Sequence, residues 1–266
     1  MTPSAQKDAW ASGASYEPFV GRWSRWVARE FLGWLAIPAQ ARWLDVGCGT
    51  GALSQTILAA ALPRSVQGLD FSGAFLDYAR EQTHDARAGF LRGDAQALPC
   101  ASGAYDAVVS GLALNFIPRP AQALSEMRRS LRASGTVAVY VWDYAEQMQM
   151  LRFFWDAAVA LDPAASPLDE GRRFPLCQAE TLQQLFEGAG LGAVEVRPIV
   201  VPTLFRNFDE YWTPFLGGQG PAPGYVRALA QGQRAALRDR LRASLPTQAD
   251  GSLALVARAW AARGVK

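Results

Sequence analysis

Three alternate glycines, Gly47, Gly49 and Gly51, stand between a strand pattern and a helix pattern, and no other stretch limits the fold of this 266-residue chain as tightly. Ala41 to Val46 reads as a buried strand, and Thr50 to Leu62, with alanine and leucine throughout, as a helix. Glycines at such a junction allow backbone angles that other residues resist and let a ligand approach the main chain closely. The helix start beyond them presents unpaired amides to an anionic group. The junction predicts an open α/β fold with a ligand crevice at the strand ends.

The pattern of the remaining chain agrees. Strands are expected at Ser65 to Asp70, Ala88 to Asp94, Tyr105 to Ser110 and Thr136 to Trp142, with helices at Gly73 to Arg80 and Pro120 to Leu131. The near-continuous apolar run of Thr136 to Trp142 is what a strand covered by helices on both faces requires. Ahead of the sheet, Trp23, Trp26, Val27, Phe31 and Trp34 recur at helical spacing, and Pro38 closes that helix. Later the alternation breaks. Residues 143–178 and 202–250 read as insertions around a helix at 179–191 and a strand from Ala193 to Val201, and Gly251 to Trp260 reads as the last strand. The proline–glycine cluster from Gly217 to Gly224 marks a loop. The expected organisation is one domain over 1–266, with an N-terminal arm and helix in 1–40, a ligand-binding core in 41–142, and the two insertions as a cap.

Composition narrows the function. With 50% hydrophobic residues, 19% charged residues and a net charge of +2, the chain can bury a full core and is not of a disordered type. The arginines are scattered, which argues against a nucleic-acid partner. Their densest run, Arg234, Arg238, Arg240 and Arg242, reads as a solvated helix face. Cys48, Cys100 and Cys177 form no CxxC pair, so neither a zinc site nor a disulfide framework is expected. No apolar run suits a signal peptide or a membrane span, and a soluble cytoplasmic protein without a metal is the expectation.

The glycine loop alone admits two ligands. Gly47-Cys48-Gly49-Thr50-Gly51-Ala52 satisfies a relaxed dinucleotide fingerprint, so an NAD-dependent oxidoreductase is one reading. Asp45 argues against it. Two residues before Gly47, its carboxylate would repel a pyrophosphate, whereas the α-ammonium of a methionine moiety would gain a charge-assisted hydrogen bond. Asp70, at the end of strand two, follows at roughly the ~20-residue spacing of a ribose-binding acid. Asp94, at the end of strand three, can accept from the exocyclic amine of adenine while the Ala95 amide donates to a ring nitrogen. Each acid alone would be an ordinary helix cap or solvated strand end. Together, at successive strand ends around one glycine loop, they point to an adenosyl sulfonium.

These segments resemble the class I S-adenosylmethionine-dependent methyltransferases: Leu44-Asp45-Val46-Gly47-Cys48-Gly49-Thr50-Gly51, Leu69-Asp70-Phe71-Ser72, Gly93-Asp94-Ala95-Gln96-Ala97-Leu98-Pro99 and Tyr105-Asp106-Ala107-Val108-Val109-Ser110. The closest likeness is to the branch that includes the ubiquinone/menaquinone-biosynthesis C-methyltransferases; it covers residues 41–142 well and the rest weakly. The resemblance implies a Rossmann-like, doubly wound sheet of seven strands, mostly parallel with an antiparallel last strand. It implies S-adenosylmethionine as cofactor and S-adenosylhomocysteine as product. Carried onto this chain, it has Gly47, Cys48, Gly49 and Gly51 hold the methionine part and Asp45 serve its amino group. Asp70 would hold the ribose, Phe71 pack against the adenine, and Asp94, Ala95 and Gln96 read its edge. Ser110 and Gly111 would face the methionine end and the acceptor. Tyr16 and Arg22 lie where related enzymes fold an N-terminal segment over the cofactor, with Arg22 placed to pair with the cofactor carboxylate. Leu131-Arg132-Ala133-Ser134-Gly135 departs from the commoner Leu-Arg-Pro-Gly-Gly turn.

Methyl transfer from a sulfonium is an in-line displacement whose main demand is alignment at ~3–3.5 Å, so a base is optional. The single histidine, His84, sits in a polar stretch away from the strand ends and reads as a surface residue. Asp143, Tyr144 and Tyr211 are the candidates for a base. No Asn-Pro-Pro-Tyr tetrapeptide follows strand four, which argues against adenine-N6 or glutamine-N5 methylation. The acceptor pocket is expected from the two insertions. There Leu151, Phe154, Trp155 and Ala158, and Phe208, Tyr211, Trp212 and Phe215, repeat a helical spacing that serves ordinary packing equally well. Residues 202–225 are expected as a lid. The functional expectation is methyl transfer to a small, apolar or aromatic acceptor, with a non-catalytic S-adenosylmethionine-binding protein as a further alternative.

Overall fold

Strands β1 (Arg42–Val46), β2 (Ser65–Asp70), β3 (Ala88–Arg92), β4 (Tyr105–Gly111), β5 (Leu131–Trp142), β6 (Gly192–Phe205) and β7 (Leu253–Val265) form one sheet in the order β3-β2-β1-β4-β5-β7-β6. The computed structural model describes residues 22–217 and 220–266, with side chains from Trp23 onward. Tyr16 and the side chain of Arg22 lie outside the described residues. β1 pairs in parallel with β2 and β4, β2 with β3, and β4 with β5. β7 is antiparallel to both β5 and β6. The doubly wound sheet with an antiparallel last strand is therefore the observed fold. Its order reverses between β1 and β4, the switch point at which open α/β sheets bind ligands.

The helices follow from the periodicity. They are α1 (Arg22–Leu35), α2 (Ala52–Ala60), α3 (Gly73–Gln82), α4 (Pro120–Ser130), α5 (Gln149–Leu161), α6 (Glu170–Arg173), α7 (Ala179–Gly188), α8 (Phe208–Trp212), α9 (Pro221–Ala228) and α10 (Gln231–Ser244). Val137 to Trp142 are buried throughout, so both faces of β5 are covered, as the apolar run requires. α1 packs on α2, β6 and β7, and sets Phe31 4.8 Å from the Tyr140 ring. α4 and α7 pack on each other and on β4 to β7.

Several boundaries differ from expectation for identifiable reasons. α2 starts only at Ala52 because Gly51, at φ 86°, forms its left-handed N-cap. β3 stops at Arg92. Beyond it the Gly93 amide donates to the Asp70 carbonyl, and Ala97 donates to the Asp94 carbonyl in a turn closed on itself, each at 3.0 Å. β5 begins at Leu131, paired to Tyr105 ahead of a register shift, and Ser134 carries the turn at φ 60°. β6 continues to Phe205, with Pro202 to Phe205 pairing to Val256 to Leu253. The second insertion therefore begins after the sheet, at Arg206. Among the described residues β6 is the outer strand, where Pro198 and Pro202 lose no ladder bond for want of an N–H.

The two aromatic stripes pack on one another. Phe154 stacks on Phe215 at 4.5 Å, Tyr211 meets both Phe205 and Phe215 at 5.4 Å, and Trp155 meets Tyr225 at 5.8 Å. On α10, the Arg238 and Arg242 guanidinium groups lie over the Phe208 ring at 6.0 and 4.5 Å and pair with Asp209. The expected solvated basic face is thus partly spent on fastening α8.

Candidate functional site

A cavity of about 220 Å³ opens at the C-terminal ends of β1, β2, β4 and β5. Its floor is the glycine loop. Gly47, Gly49 and Gly51 all have positive φ, at 72°, 53° and 86°. A Cβ on Gly47 would lie 2.5 Å from Ala113 Cβ, so this residue is small both for its backbone angle and for the close pass of the loop beneath the exit of β4. The amides of Gly47 and Cys48 donate to the Leu69 carbonyl at 2.7 and 3.0 Å, which fixes the loop to the tip of β2.

Asp45 and Asp70 face this cavity from neighbouring strands, with Asp45 in register with Gly68. Asp45 is fully buried, at 0% exposure. One carboxylate oxygen accepts from Ser54 Oγ on α2 at 2.7 Å, and the other has no hydrogen-bond partner among the described residues. Burial, aided by the Asp70 charge and opposed by the Ser54 bond, pushes its carboxyl up to about 7. Asp70 accepts from the Gly49 amide at 2.9 Å and the Ser72 amide at 2.8 Å, and burial outweighs these bonds in raising its carboxyl. The Cys48 thiol is buried in the loop and held well above its ordinary range, by burial first and then by the two neighbouring carboxylates. It is a neutral wall.

The other expected cofactor residues lie round this pair. Gly111 lines the cavity, and Ser110 beside it is buried with its hydroxyl unpartnered among the described residues. Phe71 stands 73% exposed on the rim, with the Arg92 guanidinium 5.7 Å from its ring centre. Asp94 is exposed and does not line the cavity. Its carboxylate accepts from the Gln96 amide at 2.8 Å and from Gln96 Nε2 at 3.0 Å, and these bonds hold its carboxyl low. Ala95 packs against the core, and Gln96 also takes Arg119 Nε at 3.1 Å on its side-chain oxygen. The structure therefore brings together the loop, Asp45, Asp70 and Gly111. It leaves Phe71, Asp94, Ala95 and Gln96 on a rim outside the cavity lining.

Of the candidate bases, only Tyr144 lines the cavity. Asp143 is turned away, accepting from Arg258 Nε at 2.7 Å and from the amides of Glu146 and Gln147 at 3.1 Å. Tyr211 is buried in the aromatic cap and donates its hydroxyl to the Met150 carbonyl at 2.8 Å. Both are corrections: Asp143 holds the loop after β5, Tyr211 holds the first turn of α5, and neither lines the cavity. None of Phe208, Tyr211, Trp212 or Phe215 lines it either, so the lid expected over 202–225 is not formed by that stripe. The aromatic walls of the cavity are instead Phe116, Tyr140, Trp142 and Tyr144. Phe174, between α6 and α7, closes on two of them, 5.1 Å from Phe116 and 5.7 Å from Tyr144. Arg152, paired to Asp169 at 2.7 Å, donates to the Tyr144 carbonyl at 3.2 Å and fixes that corner. Tyr140 and Trp142 share one face at the tip of β5, a spacing that a run buried on both faces does not single out.

The described residues lining the cavity include two carboxylates and no basic side chain. That donor set suits a cationic ligand and disfavours a diphosphate, and the orphaned oxygen of Asp45 lacks a donor that an ammonium would supply. Among the described residues, no group of three or more His, Cys, Asp or Glu is placed to hold a metal ion, and no helix is long and apolar enough to cross a membrane.

Comparisons with known proteins agree with this geometry. A family model described as a methyltransferase domain matches residues 44–139. The chain is 30% identical to a demethylmenaquinone methyltransferase of a Roseiflexus species over 177 residues, 61% of this chain and 72% of that one. It is 30% identical over 205 residues to a 2-methyl-6-phytyl-1,4-hydroquinone methyltransferase of a Synechocystis species, 76% of this chain and 61% of that one. The matched part spans about half the length of several curated relatives, from 46% to 61%. Among solved structures, the YcgJ protein of Bacillus subtilis superposes with a TM-score of 0.60 at 16% identity, covering 90% of this chain and 97% of that one.

Proposed function

We propose, since the chain belongs to the class I S-adenosylmethionine-dependent methyltransferases and to their ubiquinone- and menaquinone-biosynthesis branch, that it transfers a methyl group to a small apolar or aromatic acceptor. The observation that carries this is the buried, half-satisfied carboxylate of Asp45 facing a cavity with no basic side chain among its described lining residues. S-adenosylmethionine, when bound, would supply an activated methyl group on its sulfonium. Asp45 receives the cofactor ammonium, and Asp70 takes the ribose hydroxyls on the lone pairs left by Gly49 and Ser72. Gly47, Cys48, Gly49 and Gly51 let the methionine part lie against the main chain. Phe71 and the turn from Gly93 to Leu98 would border the adenine, with Asp94, Ala95 and Gln96 at its edge. Phe116, Tyr140, Trp142 and Tyr144 wall the acceptor, exclude water and fix its approach, so the rate comes mainly from orientation. Residues 143–178 act as the cap through Tyr144 and Phe174.

Isothermal titration tests this. Asp70→Ala is expected to weaken S-adenosylmethionine binding by about 1.5–3 kcal/mol, the loss of hydrogen bonds to a charged group. NAD is expected to give no heat. An unchanged affinity in the variant, or NAD binding at the same strength, overturns the assignment. Release of S-adenosylhomocysteine on incubation with a metabolite extract and labelled cofactor separates an enzyme from a non-catalytic binder. Catalysis by orientation also predicts that Tyr144→Phe keeps kcat within about tenfold, well short of the ~10²–10⁴ lost with a general base. A larger loss, with the rise of kcat with pH abolished, would make Tyr144 the base.

A further inference from the structure

We propose that Tyr140 distinguishes the loaded from the spent cofactor, its hydroxyl oxygen receiving the sulfonium methyl that S-adenosylhomocysteine lacks; this deepens the methyltransferase reading above and rests on it. Tyr140 is buried near the end of β5 and lines the cavity. A Cβ on Gly111 would lie 2.5 Å from Tyr140 Oη and 2.7 Å from its Cζ. The hydroxyl therefore reaches over the end of β4 and fills the space that a side chain at 111 would take. Its surroundings fix it there. The Phe31 ring meets the Tyr140 ring edge-on at 4.8 Å, the Tyr140 carbonyl accepts from the Leu112 amide at 2.8 Å, and Ala261 of β7 pairs with Tyr140.

Strand register sets this hydroxyl across from the two acids. Asp45 pairs with Gly68 on one side and Val109 on the other, and Val109 pairs with Ala138. Paired residues share a face of the sheet, and so do residues two apart on one strand. Asp70, Gly111 and Tyr140, each two residues further along, therefore stand on the face that carries Asp45. At this level the face runs from Asp70 on β2, past Gly111 with no side chain, to Tyr140 on β5, and Gly47 opens the loop at the end of β1 between them. A sulfonium carries three arms. Asp70 and Asp45 serve the adenosyl and methionyl arms from the β1–β2 side, which leaves the methyl arm for the glycine-floored side where Tyr140 Oη stands. A methyl on positive sulfur has polarised C–H bonds, and a phenol oxygen can accept from them. The ribose and ammonium groups are common to both cofactor forms, so the contacts of Asp45 and Asp70 do not separate them. The product thioether has neither the charge nor the methyl, so Tyr140 holds it less firmly and favours its exchange for a fresh cofactor.

Isothermal titration of the full chain with S-adenosylmethionine and with S-adenosylhomocysteine tests this. Tyr140→Phe keeps the ring and removes the oxygen. It is expected to weaken S-adenosylmethionine binding roughly two- to fivefold, the worth of one weak C–H···O contact, with S-adenosylhomocysteine within about 1.5-fold of wild type. A merely structural hydroxyl would move both affinities together, so the ratio is the readout. Tyr105→Phe, outside the described cavity lining, is the control and is expected to leave the ratio unmoved. Equal losses for the two forms in Tyr140→Phe, or no loss for either, overturn the proposal. In case the variant does not fold, tyrosine labelled with ¹³C at Cζ gives a second readout in the wild-type protein. At least one of the seven tyrosine resonances is expected to differ between the complexes with the two cofactor forms, and coincidence of all seven also overturns it. A wild-type protein that binds neither form removes the parent reading. Binding of both forms with an unmoved ratio in the variant removes this inference alone.

Discussion

Asp45→Asn is expected to raise the stability of the ligand-free protein at pH 8 while weakening its S-adenosylmethionine affinity ~10–150-fold, the range for hydrogen bonds to a charged group. The opposite signs follow from one carboxylate. In the unfolded chain Asp45 ionises near its ordinary 3.8, and in the folded protein near 7, chiefly through burial. Between those values the unfolded state gives up its proton first and the native state binds more protons, so stability falls as pH rises from about 4 to about 7 and stays reduced above. At about 1.4 kcal/mol per pH unit, the burden from Asp45 at pH 8 is on the order of 4 kcal/mol. Asparagine keeps the bond from Ser54 Oγ and removes the charge. Melting at pH 5 and pH 8 reads the effect: a gain of several degrees is expected at pH 8, at about 2–4 °C per kcal/mol for a protein of this size, and roughly a third of that gain at pH 5. Glu170 is also fully buried, bonded to Trp155 Nε1 and pushed up to about 8, so part of the acid-favoured slope persists in the variant. In the wild-type protein, cofactor affinity is expected to rise with pH through 7 as Asp45 ionises. A variant that melts lower than wild type at pH 8, or binds the cofactor equally well, would sink the assignment of Asp45.

Gly47→Ala is expected to be far costlier than Gly49→Ala, although both glycines have positive φ. At Gly49, φ 53°, an added Cβ meets nothing within 4 Å, so only the left-handed backbone resists it, at about 1–2 kcal/mol. At Gly47 the same backbone cost is joined by the 2.5 Å contact with Ala113 Cβ. Overpacking of that kind adds ~1–3 kcal/mol, for a total of about 2–5 kcal/mol. Because Ala113 also lines the cavity, relief of the clash displaces the exit of β4 and the cavity wall together. Urea unfolding is expected to show the ordering, and titration to show cofactor binding lost in Gly47→Ala and merely reduced in Gly49→Ala. Equal destabilisation by the two changes would remove the argument for close packing.

What could be read from the sequence was local. Glycine at a strand–helix junction states its own backbone requirement, and carboxylates at successive strand tips state a charge preference, so the loop, Asp45 and Asp70 needed no tertiary knowledge. Asp143 looked equivalent as a strand-tip acid, but its partner Arg258 lies 115 residues away, and nothing near Asp143 announces it. The aromatic stripes were ambiguous for a related reason: helical spacing tells which face is buried and not what covers it, and here the two stripes cover each other. Tyr140 and Trp142 were hidden inside an apolar run that reads as core throughout, because burial against a cavity and burial against a helix use the same residues. The end of β6 was obscured by Pro198 and Pro202, which argue against a central strand and are harmless on an outer one.

Those two prolines also bear on whether another strand can pair at this edge. The outer border of β6 carries exposed Val200 and Leu204, a sticky margin at which a passing chain could lengthen the sheet. With no donor at 198 or 202, the template is broken at two rungs, and zipper-like growth along that border stalls before it becomes cooperative.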